Sequence, residues 1–95
     1  MGIDLGTSAV KLLLIDRDGQ IRNAVTKEYP LLLPKPGWAE QEPAEWWSAC
    51  LSGITELLSG FDASLVRGIG VGGQMHGLVA LDENDNVIRL TCPYR

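Results

Sequence analysis

Asp4 is the residue from which chemistry in this chain has to be argued. It stands between Ile3 and Leu5 in a short apolar stretch and is followed at once by Gly6-Thr7-Ser8, with Lys11 three residues further on. A carboxylate in such a strand is costly to desolvate unless it meets a cation, a hydrogen-bond donor or water. Glycine lets backbone amides come close to an anion, and the two hydroxyls beside it add donors. The set suits Mg²⁺ together with phosphate. Taken alone, it equally describes an ordinary hairpin in which the Asp4 side chain bonds the turn amides.

A second constellation is Gly72-Gly73-Gln74-Met75-His76-Gly77. Its glycines permit close backbone approach and leave Gln74 and His76 as directional polar groups beside an apolar Met75, a combination able to grip a polyhydroxylated ligand. The bland alternative makes His76 a lone surface or core histidine. Metal ligation is poorly supported here, because His76 is the only histidine and no acidic residue lies near it in sequence. A third feature is aromatic. Trp38 sits in a Pro/Gly-rich connection that should run over the surface, where it can pack against a sugar or another segment. Glu40, Gln41 and Glu42 beside it read as pocket acceptors or as solvated polar residues at a helix start.

The elements that must position these residues follow from pattern. Residues 2–7 and 9–16 read as two strands meeting at Gly6-Thr7-Ser8, and residues 20–29 as a third strand after the Asp18-Gly19 turn. Pro30, Pro34, Pro36 and Gly37 make the next stretch an extended crossing. A helix is predicted from Pro43, with Trp46, Trp47, Cys50, Leu51, Ile54, Leu57 and Leu58 on its apolar stripe and Gly60 as its stop. Strand character returns over 65–72, 78–81 and 86–90. The order is about βββαβββ, an α/β or α+β architecture without internal repeats.

Composition narrows the function classes. The 95 residues carry 8 Lys+Arg against 12 Asp+Glu, a net charge of -4 with the bases scattered, so a nucleic-acid partner is not expected. No apolar run has the length of a membrane span, and the N-terminus has no signal-like segment, which predicts a cytoplasmic chain that does not enter the membrane. Cys50 and Cys92 have neither zinc-ligand nor disulfide-framework spacing and are expected as reduced thiols.

Gly2-Ile3-Asp4-Leu5-Gly6-Thr7-Ser8, then Trp38-Ala39-Glu40-Gln41-Glu42-Pro43 with Trp46-Trp47, then Gly73-Gln74-Met75-His76-Gly77, in this order and spacing, resemble the N-terminal part of the FGGY family of carbohydrate kinases, in particular its xylulose-phosphorylating members. The resemblance covers residues 2 to about 90. It implies a ribonuclease-H-like, actin-like ATPase fold of two domains, with ATP on one side of a cleft and the sugar deep within it. By motif, Asp4 would help hold Mg²⁺ and the nucleotide phosphates, and Gly6, Thr7, Ser8 and Lys11 would form the phosphate-facing hairpin. Met75, His76 and Gln74 would contact a xylulose-like ketose, with Trp38 and Gln41 as pocket walls.

The family's catalytic aspartate is expected beyond residue 95. Residues 1–95 would then be one partial N-terminal domain, catalytically incomplete without a second domain and prone to self-association through uncovered apolar surface. A stand-alone nucleotide- or sugar-binding module is the alternative. A nuclease of the ribonuclease-H kind would need further carboxylates converging on two metals, and Asp4 is the one clear candidate.

Overall fold

The computed structural model describes residues 1–90. Strands β1 (Gly2–Leu5), β2 (Ala9–Ile15) and β3 (Ile21–Glu28) form the predicted antiparallel meander. The β2–β3 turn works as its Asp-Gly sequence requires. Gly19 takes φ +80°, and the Asp16 carboxylate accepts from the amides of Asp18 and Gln20, both at 3.0 Å. Those bonds to its ionised form hold the Asp16 pKa below the ordinary carboxylate value.

Helix α1 (Pro43–Leu57) starts with proline in its first turn, where no intrahelical donor is lost. Its buried line is Ala49, Gly53 and Leu57, four residues apart, flanked by half-buried Trp46, Cys50 and Ile54. This line packs on β2 and β3. Val10 and Leu12 of β2 are fully buried beneath it, and Val25 and Tyr29 nearly so. Each large side chain so buried contributes about 1.5–3 kcal/mol. The Asn23 side-chain amide on β3 donates to the Leu57 carbonyl at 2.9 Å, satisfying one of the carbonyls that every helix end leaves open.

Strand β4 (Gly70–Gly73) returns parallel to β1, with Gly2 opposite Gly70 and Leu5 opposite Gly73, so the sheet order is β3-β2-β1-β4. Three antiparallel strands followed, after a helix, by a strand parallel to the first is the start of the expected actin-like ATPase topology.

Several local expectations need correction. Trp47 is 65% exposed and Leu51 47%: neither shares the face of Ala49, Gly53 and Leu57, and only Trp46 of the tryptophan pair reaches the core. The strand predicted from residue 65 begins at Gly70, because Ala63–Leu65 is a 3₁₀ turn. Asp62 enforces that turn by accepting from the Ser64 amide at 3.0 Å and its hydroxyl at 2.7 Å. Residues 78–81 and 86–90 are joined by a single bridge, Leu81 to Val87, rather than forming two strands. The turn between them is held by the Asp82 carboxylate, which accepts from Asn84 and Asn86 amides at 2.8 and 2.9 Å. Cys50 is a free, half-buried thiol; Cys92 lies outside the described residues. No helix among the described residues is long and apolar enough to cross a membrane.

Candidate functional site

The three motifs, far apart in sequence, meet at one end of the sheet. The Gly6-Thr7-Ser8 turn follows the carboxyl end of β1, and the loop carrying Gln74, Met75 and His76 leaves the carboxyl end of β4 beside it. The Gln74 amide donates to the Leu5 carbonyl at 2.8 Å, which ties the loop's first residue to the strand that carries Asp4. From the third motif, Gln41 Nε2 donates to the Thr7 carbonyl at 2.6 Å. Carboxyl ends of parallel strands are where open α/β sheets bind ligands.

The turn itself is asymmetric. All three of its carbonyls accept hydrogen bonds: Gly6 from the Tyr29 hydroxyl, Thr7 from Gln41, and Ser8 from the Tyr29 amide at 3.2 Å. The Gly6 amide closes the turn onto the Ala9 carbonyl at 3.0 Å. By contrast the amides and hydroxyls of Thr7 and Ser8 donate to nothing among the described residues, and both residues are exposed. Acceptors face inward and donors face outward, which is the polarity an anion needs.

Asp4 lies on the sheet face opposite α1, directly across from Lys11 in β2 and from Gly72 in β4. It is exposed and makes no hydrogen bond or ion pair among the described residues. The alternative in which Asp4 bonds the turn amides is therefore not what the chain does. The desolvation cost expected from its apolar neighbours does not arise either, because this face is open shelf rather than pocket. Gly72 keeps the shelf open, since a Cβ there would meet nothing within 4 Å. Gly73 is the opposite case: its Cβ would stand 2.9 Å from the Leu5 carbonyl oxygen, so only glycine lets β4 run this close to β1.

These residues fit a hydrated Mg²⁺ with phosphate. Mg²⁺ retains waters and takes one or two carboxylates plus phosphate oxygens, and a single exposed Asp4 beside turn donors and Lys11 is chemically compatible with such an ion. Among the described residues no group of three His, Cys, Asp or Glu converges into the multi-carboxylate centre that the nuclease alternative would need.

Met75 is 82% exposed, and the His76 amide donates to Gln74 Oε1 at 3.3 Å within the loop. Trp38 is 41% exposed and carries cations on its ring, Lys35 Nζ at 4.9 Å and Arg89 Cζ at 4.8 Å. Arg89 in turn pairs with the buried Glu40 carboxylate at 2.9 Å. Gln41 is 1% exposed, a core residue rather than a surface polar one. The sequence reading missed Tyr29. The available signal was its position two residues beyond Lys27 and four beyond Val25, continuing the alternation of β3 just past its end, with a hydroxyl that needs a partner once buried. Burial, and less strongly the charges of Cys50 and Asp4, raise its pKa.

A groove of ≈ 880 Å³ lies at the other end of the sheet, lined by Met1, Leu14, Leu58, Phe61, Arg67 and Gly68 among others. None of the candidate residues lines it.

The profile of the FGGY family of carbohydrate kinases, N-terminal domain, matches residues 1–92. The chain belongs to this family. It is 43% identical over 91 residues to the xylulose kinase of Bacillus subtilis (strain 168), covering 94% of this chain and 18% of that protein. It is 44% identical over 89 residues to the L-xylulose/3-keto-L-gulonate kinase of Escherichia coli (strain K12), again 18% of that protein. The crystal structure of a xyloylose kinase from Brucella ovis superposes with a TM-score of 0.90 at 44% identity, covering 96% of this chain and 20% of that one. The chain thus spans about a fifth of the length of the relatives it matches. As an FGGY N-terminal segment it has the actin-like ATPase fold, and the family implies ATP and a divalent metal.

Proposed function

We propose that this chain supplies the phosphate-facing turn and part of the sugar-facing wall of an ATP-dependent kinase that phosphorylates the primary hydroxyl of a xylulose-like ketose. The observation that carries the reading is the convergence of the Asp4 strand, the donor-presenting turn and the Gln74-Met75-His76 loop at one sheet end. In this role Asp4 and its waters hold Mg²⁺, and the Thr7 and Ser8 amides and hydroxyls, with Gly6 for close approach, face the phosphates. Lys11, across from Asp4, adds positive charge on the same shelf. When bound, Mg²⁺ neutralises charge on the phosphates during transfer. Gln74, Met75, His76 and Trp38 contribute to the ketose side. No base is assigned within the 95 residues, so alone they are not expected to turn over.

The test is a complete kinase in which residues 1–92 replace the matching segment of the Bacillus subtilis xylulose kinase. Xylulose-dependent ADP release, absent with glycerol, is expected from the chimera. A folded chimera that binds ATP yet shows no ketose-dependent turnover refutes the reading.

A further inference from the structure

We infer that Gln41 is a positioning residue for the phosphate-facing turn rather than a wall of the sugar pocket. The inference rests on the functional reading above and departs from the role that family resemblance assigned to this position.

Three observations combine. First, Gln41 is 1% exposed and its one side-chain hydrogen bond among the described residues is the 2.6 Å donation to the Thr7 carbonyl. Second, its other polar atom, Oε1, is buried with no partner among the described residues. An amide buried with half of its hydrogen-bonding capacity unmet is a poor core residue, because an apolar side chain of similar size would avoid that penalty. Stability does not explain glutamine here, whereas a fixed donor aimed at the turn does. Third, the Thr7 and Ser8 donors are unengaged among the described residues while every turn carbonyl is engaged from behind. Rotating the Thr7–Ser8 peptide would break the Gln41 bond first. That bond therefore orients the Ser8 amide outward, toward an incoming phosphate oxygen.

The orientation of the amide is also determined. Reversing the Gln41 carboxamide would set Oε1 against the Thr7 carbonyl, acceptor against acceptor. Glutamate cannot substitute, since an ionised carboxylate only accepts. Histidine can, because a ring N–H reaches a similar position and donates.

The experiment compares Gln41→Leu and Gln41→His in the chimeric kinase. Gln41→Leu is expected to raise KM for MgATP about tenfold, the lower end for loss of a supporting hydrogen bond. KM for xylulose should stay within about twofold, and the melting temperature should change little, because water can take up the carbonyl of exposed Thr7 while the unpaired Oε1 is removed. Gln41→His should retain near-parental kinetics. A rise in the xylulose KM with an unchanged MgATP KM would return Gln41 to the sugar wall. A fall in melting temperature with both KM values raised would make its role merely structural. Hydrogen exchange of the peptide spanning residues 6–9 is measured in the same proteins and does not depend on activity. Gln41→Leu should speed it several-fold without loosening β2 or β3, and unchanged exchange overturns the inference even if the parent chimera phosphorylates nothing.

Discussion

The two halves of the sheet differ in what holds them. β2 and β3 lie under α1, and Val10, Leu12, Val25 and Leu57 there are buried or nearly so. β4 has no helix on it among the described residues, and Val71 in its middle is 75% exposed. β4 is held by its ladder to β1 and by the fit of Gly73 against Leu5. The candidate chemistry is mounted on β1 and β4, while most of the burial is in β2, β3 and α1. Stability and function should therefore be separable by substitution.

The largest expected effect is on the covered half. Leu12→Ala removes a fully buried side chain and should cost about 2–5 kcal/mol in denaturant unfolding. In the chimera, activity per folded molecule should be unaffected. Asp4→Asn is the reverse case: turnover should drop on the order of 10²–10³-fold through lost stabilisation of the metal–phosphate charge, with the unfolding midpoint unmoved, because Asp4 is exposed and pairs with nothing among the described residues. If both measurements moved together in either variant, the division between the halves would fail.

Adjacent glycines sharpen the same contrast. Gly73→Ala presses a methyl against the Leu5 carbonyl and should destabilise by about 1–3 kcal/mol, as overpacking does. Gly72→Ala meets open space and should leave stability unchanged while weakening MgATP binding a few-fold, since the methyl stands beside Asp4. Unfolding curves and nucleotide titrations of the two variants separate these outcomes.

The smallest expected effect is alkaline. Burial raises the Tyr29 pKa, so the folded state favours the neutral phenol. Its contribution is complete below the unfolded tyrosine value near pH 10 and is lost as pH rises through and above it. Stability should fall in that range, and Tyr29→Phe should flatten the fall at a cost of about 1 kcal/mol at neutral pH. The comparison belongs in a Cys50→Ser background, because burial pushes the Cys50 thiol up as well.

Much of this arrangement was legible in the residues. Alternation at Val10 and Leu12, the Asp18-Gly19 turn and Pro43 with its apolar repeat fixed three strands and the helix from local physics. What local pattern could not carry was tertiary. Gln41 has the composition of a surface residue and becomes core only because Thr7, 34 positions away, offers it a carbonyl. Trp47 satisfies helical spacing yet falls outside the angular width of the face that β2 and β3 cover. Residues 78–81 and 86–90 have strand-like composition, but among the described residues they share one bridge, and Asp82 draws the nearby amides into a turn instead. For the site, the motif residues were found by type and resemblance. Gln41 was among them, but as a pocket wall; its bond to the turn, and Tyr29 altogether, emerged from the hydrogen bonds there.

One measurement bears directly on the proposed metal–phosphate shelf: anomalous diffraction from crystals of the chimeric kinase soaked with Mn²⁺ and a non-hydrolysable ATP analogue. The account predicts a metal peak over the face shared by Asp4 and Gly72, with phosphate density against the Thr7 and Ser8 amides. A peak at the opposite end of the sheet, beside Asp16 and Arg67, or phosphates bound away from the first turn, would contradict it.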